Sequence, residues 1–176
     1  ADFRNLMDVY CDAVFYPLIL KDQYTFYQEG WHYHLEREDK PLTINGVVYN
    51  EMKGAFSDPE EVMMRQVQAS LYPDTPYAME SGGDPDMIPS LSYESFMEYY
   101  ERYYHPSNSY LYLYGEMDLA DQLKYLDENY LSAFDRKEID SLPPLQTSYN
   151  DPVEQTIAYS VEEDDETEGK CYFTAN

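Results

Sequence analysis

The sequence is short of basic side chains, cysteine, tryptophan and long apolar runs, and these shortages exclude several classes of protein. Only 11 Lys and Arg stand against 35 Asp and Glu, which gives a formal net charge of -24. Nucleic-acid binding needs clustered basic side chains for the phosphates, so we expect no nucleic-acid partner. No apolar run approaches the length of a membrane span, so we expect no membrane partner either. The acidic excess is typical of a solvated surface, with steering of basic peptides as the alternative.

Cysteine is scarce, and its placement bears on the cellular compartment. Cys11 and Cys171 lie far apart in the sequence and form no CxxC pair. Isolated cysteines of this kind fit buried thiols in a reducing compartment better than a disulfide, so we expect a cytoplasmic protein, with an organelle matrix as the alternative. The sequence has no initiator Met and no signal peptide, and its 176 residues suffice for one domain with a hydrophobic core. We therefore expect a soluble internal fragment of a longer protein.

Tyrosine, in contrast, is abundant, with 21 residues against one Trp. Tyrosines at this density usually cover half-buried faces, with the ring inside and the hydroxyl at the water. Lining of a peptide cleft is the alternative, and composition does not separate the two.

Hydrophobic spacing predicts helices that alternate with strands. The predicted helices cover residues 2–15, 45–54, 58–71, 93–104 and 118–131, and residues 18–29 are compatible with a short helix. The predicted strands cover residues 31–36, 109–114, 155–161 and 170–174. Six Pro and Gly residues make residues 72–91 a long loop. Helices interleaved with hairpin strands predict an α+β two-layer sandwich, in which the helices pack on a mixed or antiparallel sheet.

The stretch NGVVYNEMKGAFSDPEEVMMRQVQ, residues 45–68, places Glu51 inside a helix that Asn45 is expected to cap. The neighbours of Glu51 on one helical face are apolar, so we expect its carboxylate close to the core. A charge in such a place needs a partner, either a basic side chain or a metal ion. The next helix is predicted to start at Asp58, with Glu61 completing a capping box.

Three other polar features raise the question of metal binding. His32 and His34 share one face of the predicted strand 31–36, but zinc needs a third converging ligand, which favours solvent-facing histidines. His105 precedes Pro106, and we interpret it as a helix-terminal residue. Six of the seven residues from Glu162 to Glu168 are acidic. They do not fit the calcium positions of an EF-hand, so we expect a solvated hairpin tip.

Five segments of the chain carry a family resemblance. They are DFRNLMDVYCDAVFYPL at 2–18, FYQEGWHYHLE at 26–36, the Glu51 stretch, LYPDTPYAMESGGDPDMIPSLSYESF at 71–96 and YYHPSNSYLYLYGEMDL at 103–119. In this order they resemble the pitrilysin and insulinase zinc metallopeptidases, and among them the presequence-protease branch. The resemblance implies that Glu51 is the third zinc ligand. The other two ligands would be histidines of an H-x-x-E-H helix whose Glu is the general base, and that motif is absent from this sequence.

The resemblance also implies a domain organisation. Residues 1–134 would be the C-terminal part of a truncated catalytic module of pitrilysin type, 135–152 a linker, and 153–176 the first strands of the following module. The SGGDP turn, with Ser81, Gly82 and Gly83, would lie near the catalytic region and contact substrate. A glycine turn required by backbone geometry alone is the alternative.

The implied parent protein is a zinc-dependent metalloendopeptidase that degrades unstructured peptides. The fragment alone is predicted to be inactive and to bind zinc weakly, since it offers one ligand. Its expected partners are peptide substrates and the remaining modules of the parent chain, and an exposed sheet edge would favour self-association. The rival hypothesis is a non-catalytic, structural or chamber-forming module of the same fold. A free-standing acidic, tyrosine-rich binding domain would leave the five segments unexplained.

Overall fold

A computed structural model describes residues 2–161 and 168–176, and within them the chain is rich in helix. The α-helices are α1 Asp2–Phe15, α2 Tyr24–Glu29, α3 Val47–Ala55, α4 Pro59–Leu71, α5 Tyr93–Tyr103 and α6 Leu119–Asn129. Short 3-10 helices cover Leu18–Leu20, Pro76–Ala78, Ile88–Ser90, Pro106–Asn108 and Leu131–Ala133. One antiparallel pair of strands, β1 His32–His34 and β2 Thr43–Asn45, aligns Tyr33 with Ile44. This content agrees with the α+β class.

Several helix starts follow the sequence signals closely. The Asp58 carboxylate accepts hydrogen bonds from the backbone amides of Glu60 at 2.8 Å and Glu61 at 3.3 Å, which caps α4. The return bond of a capping box, from Glu61, is not seen among the described residues. Ser92 and Ser95 form a complete capping box at α5, and Asp118 caps α6 by accepting from the Asp121 amide. Side-chain oxygens thus satisfy the free amides at these helix starts.

The chain divides into two compact units. The first joins the chain up to Phe26 to Leu91–Ser141, and the second joins Tyr27–Ser90 to the chain from Leu142 onward. The core of the first unit forms where α1 packs on α6. Its buried side chains are Met7, Cys11, Phe15, Leu126 and Tyr130. The α1 members recur every four residues, which places them on one helical face.

A partly buried polar network lies beside this core. The Asp8 carboxylate accepts hydrogen bonds from the hydroxyls of Tyr125 at 2.9 Å and Tyr130 at 3.0 Å. Burial, together with the bond to Asp8, raises the pKa of Tyr130 well above its ordinary range. Both phenols therefore stay protonated and act as donors that tie α6 to α1.

Within the first unit, tyrosine hydroxyls also attach α5 to α1 and to the segment that follows it. The Tyr93 hydroxyl donates to the carbonyl of Ile19 at 2.8 Å, and the Tyr100 hydroxyl donates to the carbonyl of Val14 at 2.6 Å. The ring of Phe26 packs on Phe96, with centroids 5.7 Å apart. These tyrosines do cover half-buried faces, but their hydroxyls bond to backbone instead of facing water.

The predicted strands outside β1 are wrong for the part of the chain that the structure describes. Residues 109–114 form no ladder and are not buried in a sheet, since Tyr110 is 103% exposed and Tyr112 is 84% exposed. Residues 155–161 and 170–174 are likewise unpaired as strands, although the rings of Tyr159 and Tyr172 meet edge to face at 5.8 Å. Alternation makes a segment fit for a sheet, but a strand exists only where a neighbour accepts its backbone hydrogen bonds.

Other predictions meet mixed outcomes. The expected acidic hairpin tip at 162–168 lies outside the described residues except for Glu168. Cys11 is buried, as predicted, and burial raises the pKa of its thiol, whereas Cys171 is exposed. Both cysteines are free. None of the helices in the described ranges is long and apolar enough to span a membrane.

Candidate metal-ligand helix and glycine turn

The helix that carries Glu51 begins at a sharp corner after β2. Asn45 was expected to cap this helix, but it ends β2, and Gly46 takes the cap position without a side-chain bond. The Asn45 amide oxygen instead accepts from the Gly46 backbone amide at 3.0 Å and from the Asn50 side chain. A Cβ at Gly46 would overlap the backbone of Gly30, so only glycine allows the corner to approach the start of the β1 segment this closely.

Glu51 lies in the second turn of α3, and its side chain is exposed. The expectation that its carboxylate lies close to the core is therefore wrong. The apolar neighbours Val47 and Val48 are 54% and 37% exposed, and Met52 is the buried residue of this helix. The apolar face inferred from the sequence is thus not the face that packs.

Two basic side chains that follow Glu51 in the sequence, Lys53 and Arg65, make their contacts elsewhere. The Lys53 ammonium lies 6.0 Å from the centroid of the Tyr49 ring, and Arg65 pairs with Glu80 at 3.0 Å. No ion pair among the described residues involves Glu51. Within residues 2–161 and 168–176, no group of three His, Cys, Asp or Glu side chains is arranged to hold a metal ion. Glu51 is thus an exposed carboxylate that takes part in no ion pair among the described residues.

The Ser81–Gly83 turn packs directly against this helix. Gly82 faces the Met52 side chain, and a Cβ at Gly82 would overlap the Met52 sulfur. Gly83 has a φ of 95°, a conformation that side chains disfavour, and its Cα faces Ile88, which is buried. The structure thus brings together two segments that the sequence singled out separately, the Glu51 helix and the glycine turn.

A partly buried ion pair lies beside the turn and could not be inferred from the sequence. The Arg65 Nε donates to the Glu80 Oε2 at 3.0 Å, and the Gly82 amide donates to Oε1 at 3.4 Å. The bond from Arg65 is the largest cause that lowers the pKa of Glu80. A lowered pKa means that ionised Glu80 stabilises the fold above its ordinary pKa of about 4.3, and that this contribution is lost as the pH falls through the lowered value. The only local signal was the weak i,i+4 spacing of Glu61 and Arg65.

The histidines do not form a metal site among the described residues. The rings of His32 and His34 have centroids 6.3 Å apart, and the Nδ1 of His32 donates to the carbonyl of Tyr27 at 2.7 Å. His34 is exposed, in agreement with the solvent-facing interpretation, and Tyr33 on the opposite face of the strand is exposed as well. His105 caps the 3-10 helix Pro106–Asn108 by accepting from the Ser107 amide at 3.1 Å. It therefore has a structural role at a helix end.

Comparison with known proteins connects these segments to peptidases. Residues 90–176 match the family model described as the peptidase M16 inactive domain. Protein HypA of Clostridium perfringens (strain 13 / Type A) is 50% identical over 175 residues, which is 99% of this chain and 18% of that protein. Presequence protease 1, chloroplastic/mitochondrial, of Arabidopsis thaliana is 40% identical over 177 residues, 99% of this chain and 16% of that protein. Presequence protease, mitochondrial, of Mus musculus is 42% identical over 158 residues, which is 87% of this chain and 15% of that protein. The chain spans less than a fifth of the length of these curated relatives.

The contact between the glycine turn and α3 makes a prediction about two glycines. We expect Gly82→Ala to lower the free energy of unfolding by about 1–3 kcal/mol, because the new Cβ must displace Met52. Gly54→Ala is the matched control, since nothing lies within 4 Å of its Cβ position inside α3. It should stabilise the protein by about 0.5–1 kcal/mol. Urea unfolding of both variants checks this, and equal effects would show that the turn does not press on Met52.

Proposed function

The chain belongs to the peptidase M16 family, and we propose that it is part of a zinc-dependent metalloendopeptidase that degrades unstructured peptides. One observation carries the proposal. Glu51, in its NEMKG context, is exposed on a helix that packs against the SGGDP turn, and it has no ion-pair partner among the described residues. The presequence proteases among the relatives are named as proteases, which supports the same conclusion.

In this proposal Glu51 supplies one ligand to a zinc ion whose other ligands lie outside this chain. Zinc, when bound, polarises the scissile carbonyl and lowers the pKa of its water. Glu51 contributes a carboxylate oxygen and a negative charge. Two close contacts fix the helix that carries it. The corner at Gly46 fixes the start of α3, and Met52 anchors its middle against Gly82. A rigid helix suits a ligand, because a metal site needs its donors in defined positions.

Peptide binding is assigned in this proposal to the region of Ser81, Gly82 and Gly83. Ser81 and Gly82 are exposed, and the turn contacts the residue next to Glu51 in sequence. Exposure of these two residues leaves the turn accessible to a substrate backbone. The alternative, a turn shaped only by backbone geometry, is equally consistent with the positive φ of Gly83.

The remaining features of the parent protein are proposals of the same kind. We propose a pitrilysin-type sandwich that is completed by other modules, with residues 1–134, 135–152 and 153–176 as module end, linker and start of the next module. The exposed segment 109–114 would pair there with a strand from elsewhere in the chain. The compartment proposed is the cytoplasm, or an organelle matrix if this protein resembles the mitochondrial and chloroplastic presequence proteases in location.

The second candidate function is a non-catalytic, chamber-forming module. The match of residues 90–176 to an inactive domain favours it, but that match begins after Glu51 and the SGGDP turn. The two functions differ in the presence of an H-x-x-E-H helix in the longer protein. Reading the coding sequence upstream of this chain decides between them.

Self-association of the isolated chain is expected from its exposed tyrosines. Tyr110, Tyr112 and Tyr114 leave a row of aromatic side chains in water, and burial against a second copy would remove that area. We expect light scattering to detect dimers or larger species. Tyr112→Ser should shift the population toward monomer, whereas the exposed control Met79→Ser should not. A strict monomer at high concentration would contradict the proposal.

The isolated chain is expected to have no peptidase activity. Catalytic zinc is usually held by three protein ligands with an open position, and this chain supplies one plausible ligand and no paired general base. The measurement is turnover of an unstructured fluorogenic peptide with added zinc, and with a chelator as control. Turnover that the chelator abolishes and zinc restores would overturn this prediction.

The role of Glu51 is tested in the longer protein. Glu51→Gln keeps the shape of the side chain but removes its charge, so zinc content should fall and turnover should drop by about 100-fold or more, given that even outer-shell changes cost about 10- to 100-fold. Glu98→Gln is the matched control, because Glu98 is also an exposed helical glutamate. Full zinc content and full turnover in the Glu51→Gln protein would show that the ligand assignment is wrong.

A further inference from the structure

We propose that Arg65 is a positioning residue that holds the Ser81–Gly83 turn against the Glu51 helix, and thereby sets the affinity for peptide. The proposal rests on the proposed function, in which this turn binds substrate. It is independent of whether Glu51 is a zinc ligand. Arg65 is not assigned a catalytic role, because its side chain is only 15% exposed and its guanidinium contacts Phe56 and Glu80.

The first observation is that Arg65 contacts the end of α3. Its guanidinium carbon lies 3.6 Å from the centroid of the Phe56 ring, and Phe56 is the residue that terminates the Glu51 helix. The Arg65 side chain is only 15% exposed, so this stacking takes place largely out of water. A cation over an aromatic ring is attracted more strongly when it is desolvated. Arg65 is therefore fixed relative to α3.

The second observation is that Arg65 also holds the turn. Its Nε donates to Oε2 of Glu80, and the other oxygen of Glu80 accepts from the Gly82 amide and the Ser81 hydroxyl, both at 3.4 Å. One oxygen of the Glu80 carboxylate thus bonds to Arg65, and the other bonds to the turn. Arg65 connects the end of α3 to the turn through a single carboxylate.

The third observation separates this role from general stability. The Arg65 Nη1 is buried and has no hydrogen-bond partner among the described residues, and the contact of Nη2 with Glu61 is long, at 3.8 Å. An unsatisfied buried donor is costly, and buried ion pairs often add little net stability compared with apolar residues of similar size. Methionine can replace Arg65 against the Phe56 ring. Arg65→Met should therefore release the turn without unfolding the unit.

The expected consequence is a change in peptide affinity. The turn keeps its contact with Met52 but loses the tie through Glu80, so it samples positions that do not fit the peptide. The interactions lost contribute equally to bound substrate and transition state, which raises KM and leaves kcat nearly unchanged. We expect a rise in KM of about 3- to 10-fold, the scale of one lost hydrogen bond.

The experiment compares Arg65→Met, Glu80→Gln and the double variant in the longer protein. Because both residues act through one contact, the double variant should have a KM no higher than the worse single variant. Arg37→Met is the matched control. Arg37 also forms an ion pair, with Asp39, but its side chain is 61% exposed. This variant should leave KM unchanged. Additive increases in KM would overturn the shared contact.

Hydrogen–deuterium exchange supplies a readout that does not depend on activity. Amides of residues 80–83 should exchange faster in Arg65→Met than in the wild type or Arg37→Met, while residues 47–55 of α3 exchange as before. Unchanged exchange at 80–83 would overturn the positioning role, and faster exchange with unchanged KM would overturn its link to peptide binding. If the wild-type longer protein shows no zinc-dependent turnover, the proposed function fails, and the exchange data still decide whether Arg65 holds the turn.

Discussion

The close contact between Gly82 and Met52 is the constraint on which the candidate site depends. Met52 is the buried residue of α3, and it can pack there only because Gly82 has no side chain. A second close approach, between Gly46 and the Gly30 backbone, fixes the start of the same helix. Glu51 therefore projects from a helix that is held at its start by one glycine and in its middle by another. Both contacts are steric, so they fix position without depending on pH or salt.

Electrostatics contributes differently in a chain with such an excess of acids. With 35 acidic and 11 basic residues, most carboxylates have no basic partner to pair with. The described ion pairs of Arg4, Arg37 and Lys124 involve largely exposed side chains, and such pairs contribute little to stability. Arg4 also contacts an aromatic ring and a carboxylate, but the Arg65 side chain is only 15% exposed. One of the few basic side chains is thus placed largely out of water beside the glycine turn.

Local signals in the sequence predict much of the helical structure. They do not predict pairing between distant segments. Asp2–Phe15, Pro59–Leu71 and Tyr93–Tyr103 agree with the predicted helices because caps and apolar spacing lie within the segments themselves. The strand β2 was missed because its three residues pair with β1 across a loop. Residues 109–114 were predicted as a strand because their alternation is clear, yet no described neighbour accepts their hydrogen bonds. The ion pair between Arg65 and Glu80 likewise has no local signal in the sequence, because the two residues lie fifteen positions apart.

The sequence predicts a buried Glu51, and the structure shows an exposed one. Apolar neighbours at helical spacing suggested a carboxylate near the core, which would need a partner within the fold. The exposed side chain needs none, because water solvates its charge. Burial therefore gives no support to a ligand role for Glu51, and the ligand hypothesis rests on the family resemblance and on the neighbouring turn. A ligand shared with another part of a longer chain must in fact be accessible, since a carboxylate enclosed by its own unit could not reach a metal held by histidines elsewhere. Exposure is therefore the condition under which Glu51 can take the ligand role proposed for it.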